Sequence, residues 1–61
     1  MRVIIKKCHG GEWYRKAINK DFELIKKVGD TYYKVKVEPE FAYLLKGREE
    51  AYIYISDAEI I

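Results

Sequence analysis

The sequence predicts an all-β fold: a small, partly open barrel of four to five short antiparallel strands. Residues 32–37 and 51–55 alternate with the period of two that a half-buried strand shows. Glycine, proline and short polar residues separate the strand-like segments, and little of the chain has helical periodicity. For a chain of 61 residues, this pattern is typical of a small barrel.

The length corresponds to a single domain, residues 1–61, with marginal stability. At this size, folding buries only about 60% of the surface that the unfolded chain exposes. Cys8 is the only cysteine, which excludes an internal disulfide, and one Cys with one His cannot complete a four-ligand zinc site. We therefore expect a tightly packed barrel or a homodimer, without a metal or a cofactor.

A free thiol suits a reducing compartment. The sequence shows neither a signal peptide nor an apolar run near the roughly 18 residues that span a membrane. We predict a cytoplasmic protein with no membrane partner.

The first half of the chain predicts two strands. The first runs over residues 2–8 and stops at residues 9–11, because the glycines at 10 and 11 readily adopt turn conformations. A loop containing residues 12–14 follows, and residues 22–28 form the next strand.

The second half predicts a hairpin and a short tail. Residues 29–31 form the turn into a third strand, 32–37, which ends at residues 38–40 because Pro39 cannot donate to a ladder. The pattern of residues 41–50 fits a helical turn, a loop or an edge strand. The strand at 52–55 leads through a polar turn at 56–58 to a last short strand at 59–61.

Tyrosine and lysine mark the outer faces of the two alternating strands, because successive side chains of a strand point to opposite faces. The inner face takes Tyr33, Val35, Val37, Ile53 and Ile55, and the outer face takes Tyr32, Lys34, Lys36, Tyr52 and Tyr54. Tyrosine supplies a large contact area at low entropic cost and is enriched in binding hot spots. We predict that this outer face, together with Trp13 and Tyr14, binds a partner.

Structural interpretations of the same aromatic residues stay open. Trp13 either closes one end of the barrel core or is displayed to a ligand. The tyrosines either bind a partner or merely cover the outer face of the strands, where aromatic cross-strand pairs add roughly 0.2–1 kcal/mol each.

The formal net charge of +2 conceals a polarised chain. Residues 1–36 contain ten Lys or Arg and four Asp or Glu, whereas residues 37–61 contain two and six. Such a division is typical of a basic docking surface, or of complementary surfaces that join two copies of a protein. Strands from the two halves interleave in a sheet, so the division along the chain need not become a patch in space.

No motif indicates catalysis. Cys8 and His9 are neighbours, so on a strand the thiol and the imidazole point to opposite faces. The glycine pair at 10–11 lacks the lysine and hydroxyl of a phosphate-binding loop, and carboxylate pairs such as that at 49–50 are typical of a solvated surface. We predict a non-enzymatic protein with no catalytic residues.

A set of motifs follows the predicted strands: Trp13-Tyr14, Ile18, Phe22-Glu23-Leu24, Tyr32-Tyr33-Lys34-Val35 and the stretch 52–61. Together they resemble the small SH3-like barrel proteins encoded by phages and prophages of Gram-positive bacteria, over most of the chain except residues 38–50. The resemblance implies an SH3-like barrel. It also implies the role typical of such proteins, which is to bind a host protein or to disable a bacterial defence system.

Two functional hypotheses follow. The preferred one is a protein-binding module that inhibits a host or anti-phage defence protein in the host cytoplasm, acting as a homodimer. Ile60 and Ile61 are the predicted oligomer contact, because a terminus that ends on two apolar residues either completes the barrel or packs on a second copy.

The alternative is an SH3-like nucleic-acid-binding barrel, in which aromatic rings stack on bases and cations neutralise phosphates. The stacking residues would be Tyr32, Tyr52, Tyr54 or Trp13, and the cations Lys34, Lys36, Arg15, Lys16, Lys26 and Lys27. The modest net charge and the acidic second part of the chain count against this alternative.

Overall fold

The structure is a computed structural model that describes residues 1–8, 10 and 13–61. Within these residues the chain forms five β-strands and three short 3₁₀ helices. In chain order they are β1 (Arg2–Ile5), the first helix (Trp13–Ala17), β2 (Asp21–Val28), β3 (Tyr32–Lys36), the second helix (Pro39–Leu45), β4 (Glu50–Tyr54), the third helix (Ile55–Asp57) and β5 (Ala58–Ile60). No helix in the described part of the chain has the length and apolar character that a membrane crossing requires.

The five described strands form one open antiparallel sheet in the order β4-β3-β2-β1-β5. The last strand, β5, returns to pair with β1, which leaves β4 and β5 at the two edges. A bulge between Leu24 and Lys26 shifts the register of β2 against β3, and a bulge bends a strand and increases its twist. The predicted fold class, a small, partly open all-β barrel of four to five short antiparallel strands, is confirmed.

The hairpin between β2 and β3 forms as predicted. Val28 pairs with Tyr32, so residues 29–31 are the loop. Gly29 has a φ of 59°, in the left-handed region that glycine enters without steric cost. The turn therefore fixes the register that places the outward residues of β2 beside those of β3.

One face of the sheet, together with residues of the first helix, encloses the core. Its buried residues are Val3, Ile5, Tyr14, Ala17, Phe22, Tyr33, Val35, Val37, Ala51 and Ile53. The ring of Phe22 packs edge-on against Trp13, with centroids 5.5 Å apart, and against Phe41, at 5.4 Å. Phe22 therefore ties the first and second helices to the sheet.

The start of the chain differs from the prediction in two places. β1 ends at Ile5 instead of residue 8, because the next two amides, of Lys6 and Lys7, both donate to one carbonyl, that of Asp57 in the third helix, at 2.7 and 3.2 Å, instead of to successive residues of a strand. The predicted turn at residues 9–11 lies largely outside the described residues. Residues 13 and 14 begin a 3₁₀ helix instead of lying in a loop, and the helix buries Tyr14 and Ala17 three residues apart on one side.

The ambiguous segment after β3 is largely helical. Pro39 stands in the first turn of the second helix, where its missing amide costs no hydrogen bond. The helix ends at Leu45 and is capped by Lys46, and the amide of Gly47 donates to the carbonyl of Ala42 at 2.9 Å. Gly47 has a φ of 88°, which favours glycine at the turn leading towards β4.

A buried hydrogen bond joins the first helix to the third. The hydroxyl of Tyr14 donates to the carboxylate of Asp57, and both side chains are almost completely buried. The backbone carbonyl of Asp57 also receives the two amides that end β1. One residue thus fixes the helix before β5 to the start of the chain.

Replacing Tyr14 tests this link. We expect Tyr14→Phe to lower the free energy of unfolding by about 1–3 kcal/mol, because it removes a donor from a buried carboxylate. Urea denaturation gives the value, and the matched control is Tyr43→Phe, whose side chain is 71% exposed. Equal stabilities of the two variants would contradict the role of the Tyr14 hydroxyl.

Candidate functional site

The outward side chains of β2, β3 and β4 form three rows that cross the sheet. In each row, a residue of β3 faces one partner in β2 and one in β4. The first row is Val28, Tyr32 and Tyr54, the second is Lys26, Lys34 and Tyr52, and the third is Glu23, Lys36 and Glu50. We call these nine residues the tyrosine face. It changes from aromatic and apolar beside the hairpin turn to charged at the opposite end of the strands.

The outward residues of β3 and β4 form the non-hydrogen-bonded pairs of the antiparallel ladder, in which opposite residues lie closer together. The amide of Val37 donates to the carbonyl of Glu49 at 2.7 Å, which places the inward residues in the hydrogen-bonded pairs of the ladder. Outward pairs such as Tyr32 and Tyr54 then lack mutual backbone bonds, and their side chains approach more closely. The same alternation directs the backbone polar groups of Tyr52 to the free side of β4.

Three tyrosine rings form a cluster on this face. The ring of Tyr32 lies 5.0 Å from that of Tyr54, tilted by 34°, and 5.8 Å from that of Tyr52 in an edge-on arrangement. Tyr52 is 50% exposed and Tyr54 is 37% exposed, whereas Tyr32 is half-buried between them. A shallow cavity of about 360 Å³ beside the cluster is lined by Val28, Tyr32 and Tyr52.

An ion pair lies next to the rings. The ammonium of Lys34 is 3.1 Å from a carboxylate oxygen of Glu50, one row away on the neighbouring strand. The hydrogen bond to Glu50, and then the charge of Glu50, raise the pKa of Lys34 above its ordinary value. Lys34 therefore stays charged at any physiological pH, with its charge largely balanced by its neighbour.

Trp13 closes one end of the core instead of joining the face. Its half-buried ring packs edge-on against Tyr14 and Phe22, both at 5.5 Å between centroids. The indole Nε1–H donates to the carbonyl of Tyr52 at 2.9 Å. This hydrogen bond occupies a backbone acceptor on the free side of β4. Trp13 therefore contacts the tyrosine face through the backbone of Tyr52.

The prediction that Tyr14 lies in a surface site is wrong. Its side chain is only 1% exposed, because the first helix turns the ring into the core and the hydroxyl reaches Asp57. The local sequence does not reveal this position, since the partner lies 43 residues further along the chain.

Ile60 and Ile61 lie at the other edge of the sheet from the tyrosine face. Ile60 belongs to β5 and is 48% exposed, and Ile61 is 65% exposed. The amide of Ile61 donates to the carbonyl of Arg2 at 2.9 Å, so the terminus is held against β1. The two predicted contact regions are therefore separate surfaces.

Basic and acidic parts of the chain meet in the fold. Ion pairs connect basic residues of the first part with acidic residues of the second, as in Arg2 with Glu38 at 2.6 Å and Lys34 with Glu50. Of the six cations proposed for nucleic acid, Lys26, Lys34 and Lys36 share the tyrosine face. Lys27 faces the opposite side, opposite Tyr33, and Arg15 and Lys16 lie on the first helix.

Sequence reasoning missed Val28, Glu23 and Glu50 as members of the face. Val28 ends a strand beside Tyr32, and Glu50 pairs across the ladder with Lys36. The alternation within β3 and β4 contained the signal for Glu50. The position of Val28 depends on the bulge in β2, which the sequence pattern does not show.

Cys8 and His9 yield no catalytic pair that the structure describes. Cys8 is half-buried against the core, with its Sγ 3.4 Å from the carbonyl oxygen of Gly10, and His9 lies outside the described residues. Among the residues that are described, no cluster of three or more His, Cys, Asp or Glu is arranged to hold a metal ion.

The chain matches no protein-family model, no curated protein and no solved structure. The resemblance to SH3-like barrels of phages and prophages therefore stays a prediction from sequence motifs. What the geometry defines is a class of site: an open sheet face with clustered tyrosines, bordered by lysines and one ion pair.

Proposed function

We propose that this protein is a non-enzymatic protein-binding module, and that the tyrosine face is its contact surface. The observation that carries the proposal is the cluster of Tyr32, Tyr52 and Tyr54 on the side of the sheet opposite the core. The core is already filled from the other face, by residues such as Tyr33 and Ile53. The exposed rings therefore offer contact area beyond what the core uses.

Physical chemistry favours a protein partner for such a surface. Tyrosine loses little side-chain entropy when a partner covers it, and it combines an apolar ring with a hydrogen-bonding hydroxyl. A rim of mixed charge, here Lys36 opposite Glu23 and Glu50, is typical of protein interfaces with an apolar centre and a polar border.

The nucleic-acid alternative uses the same rings but receives less support. The rings of Tyr32 and Tyr54 already pack against each other. The charge of Lys34 is paired with that of Glu50, which reduces the positive charge available to phosphates. A single-strand binder should lose affinity with salt at a slope of about 0.7 per neutralised phosphate. Weak or salt-insensitive binding of oligonucleotides is what the protein-binding proposal expects.

The resemblance to phage and prophage barrels suggests the kind of target. It favours a host protein, or a protein of an anti-phage defence system, that the module binds and inhibits in the host cytoplasm. This part of the proposal depends on the sequence motifs alone.

A homodimer is part of the same proposal. Ile60 and Ile61 are exposed apolar residues at an edge strand, where burial by a second copy would remove them from water. Because Ile61 bonds back to Arg2, the alternation of the ladder directs the backbone groups of Ile60 to the free side of β5. Those groups are available to pair with an identical strand.

Removing the exposed rings should abolish partner capture without unfolding the protein. We expect the double variant Tyr52→Thr/Tyr54→Thr to lose at least tenfold in capture of host proteins, because interface aromatics carry about 2 kcal/mol or more each. The measurement is quantitative affinity capture from nuclease-treated host extract. Tyr43→Thr, exposed on the second helix, is the matched control.

The affinity-capture experiment can either support or contradict the proposed contact surface. A protein retained by the wild type and by Tyr43→Thr but lost by the double variant supports the proposal. Equal capture by all three proteins would contradict it, and so would binding of a single-stranded oligonucleotide pool with a steep salt dependence.

Changing the terminus tests the dimer. We expect a mass in solution of twice 7.3 kDa for the wild type and of 7.3 kDa for Ile61→Asp, because a buried carboxylate opposes packing of the two termini. Light scattering at micromolar concentration gives both masses, and Glu59→Gln is the control on the same strand. A monomeric wild type, or a folded Ile61→Asp variant that stays dimeric, would contradict the contact.

A further inference from the structure

We propose that the partner of the tyrosine face is an acidic protein segment that places an apolar side chain beside Val28 and Tyr32 and a carboxylate between Lys26 and Lys34. This inference rests on the proposed function and specifies the chemistry of the partner. Three features of the face support it: a pair of like charges, an internal ion pair that competes for one of them, and the distance from these lysines to the apolar cavity.

The like charges are Lys26 and Lys34, which stand directly opposite each other on β2 and β3. Like charges at such positions destabilise a sheet. Among the described residues Lys26 forms no ion pair, whereas Lys34 is paired with Glu50 at 3.1 Å. A carboxylate placed between the two side chains would pair with Lys26 and share Lys34 with Glu50, so the charge of Lys26 gives the site a preference for an anion.

Glu50 then acts as an internal competitor. It holds Lys34 while the face is empty, and an incoming carboxylate must share or replace that contact. Removing the Glu50 charge should therefore strengthen the binding of an acidic segment, and removing the Lys26 charge should weaken it. Opposite effects of two neighbouring substitutions are a signature that a purely apolar contact would not produce.

The distance between the rows of the tyrosine face defines the distance between the apolar and the acidic residue of the partner. The row of lysines lies two residues along each strand from the row that contains Val28 and Tyr32, which corresponds to about 6.7 Å. An apolar and an acidic residue two positions apart in an extended segment have the same spacing, as do residues four apart in a helix, at about 6 Å. The cavity lined by Val28, Tyr32 and Tyr52 receives the apolar side chain.

Peptide selection tests this inference. A displayed library of random 12-residue peptides is selected on the wild-type protein and counter-selected on Tyr52→Thr/Tyr54→Thr. We expect the retained peptides to carry an acidic residue two or four positions from an apolar one. Replacing that acid by its amide should weaken binding about twofold to fivefold at low salt, and less at high salt.

Three single variants then locate the effect. We expect Lys26→Gln to weaken the selected acidic peptide about twofold to fivefold and Glu50→Gln to tighten it by a similar factor. Glu59→Gln makes the same charge change on β5, at the other edge of the sheet, and should leave the affinity unchanged. Equal tightening by Glu50→Gln and Glu59→Gln would indicate general electrostatics and overturn the site.

The outcomes separate this inference from the proposed function. Peptides that depend on the tyrosines but contain no acidic residue, or that ignore Lys26→Gln, overturn the acidic partner and leave the binding module intact. If the selection yields no peptide whose binding depends on Tyr52 and Tyr54, both the acidic partner and the binding module are overturned. An oligonucleotide that displaces the acidic peptide at equal charge overturns the choice of a protein ligand.

Discussion

A chain of 61 residues can bury only a small core, and here the core fills one face of the sheet. This limited burial determines which side chains are left at the surface. Inward residues of the strands form the core together with Tyr14 and Ala17 of the first helix, and the ring of Phe22 contacts aromatic rings of the first two helices. The outward residues of β2, β3 and β4 are left at the surface, where the core does not dictate their identity. Tyrosines at these positions therefore call for an explanation outside the core.

The two edges of the sheet are protected differently. At β4, the indole of Trp13 takes up the carbonyl of Tyr52, so the edge beside the aromatic cluster is partly covered. At β5, the strand is only three residues long and ends on exposed Ile60 and Ile61. The first arrangement takes up a backbone acceptor that an added strand would need, whereas the second leaves apolar side chains exposed at the edge. The two proposed contacts therefore lie at opposite edges of the sheet.

Local patterns in the sequence predicted the strands better than they predicted the site. Alternation placed Tyr33, Val35 and Ile53 inward, and the glycine turn placed the hairpin, because both depend on neighbouring residues alone. The burial of Tyr14 depends on distant Asp57, and the position of Lys26 beside Lys34 depends on a bulge that the alternation does not reveal. Folding also brought basic and acidic parts of the chain together in ion pairs, such as Lys34 with Glu50, which the order of charges along the chain does not show.

The most direct test of the account is the free energy of unfolding of the triple variant Tyr32→Thr/Tyr52→Thr/Tyr54→Thr, measured by urea denaturation. Threonine keeps the β propensity of these positions while removing the rings. If the cluster serves binding, the variant unfolds cooperatively with a loss below about 2 kcal/mol, the sum of two aromatic cross-strand contacts. A variant that has lost cooperative unfolding would show that the rings hold the barrel together, and the tyrosine face would then be a structural surface.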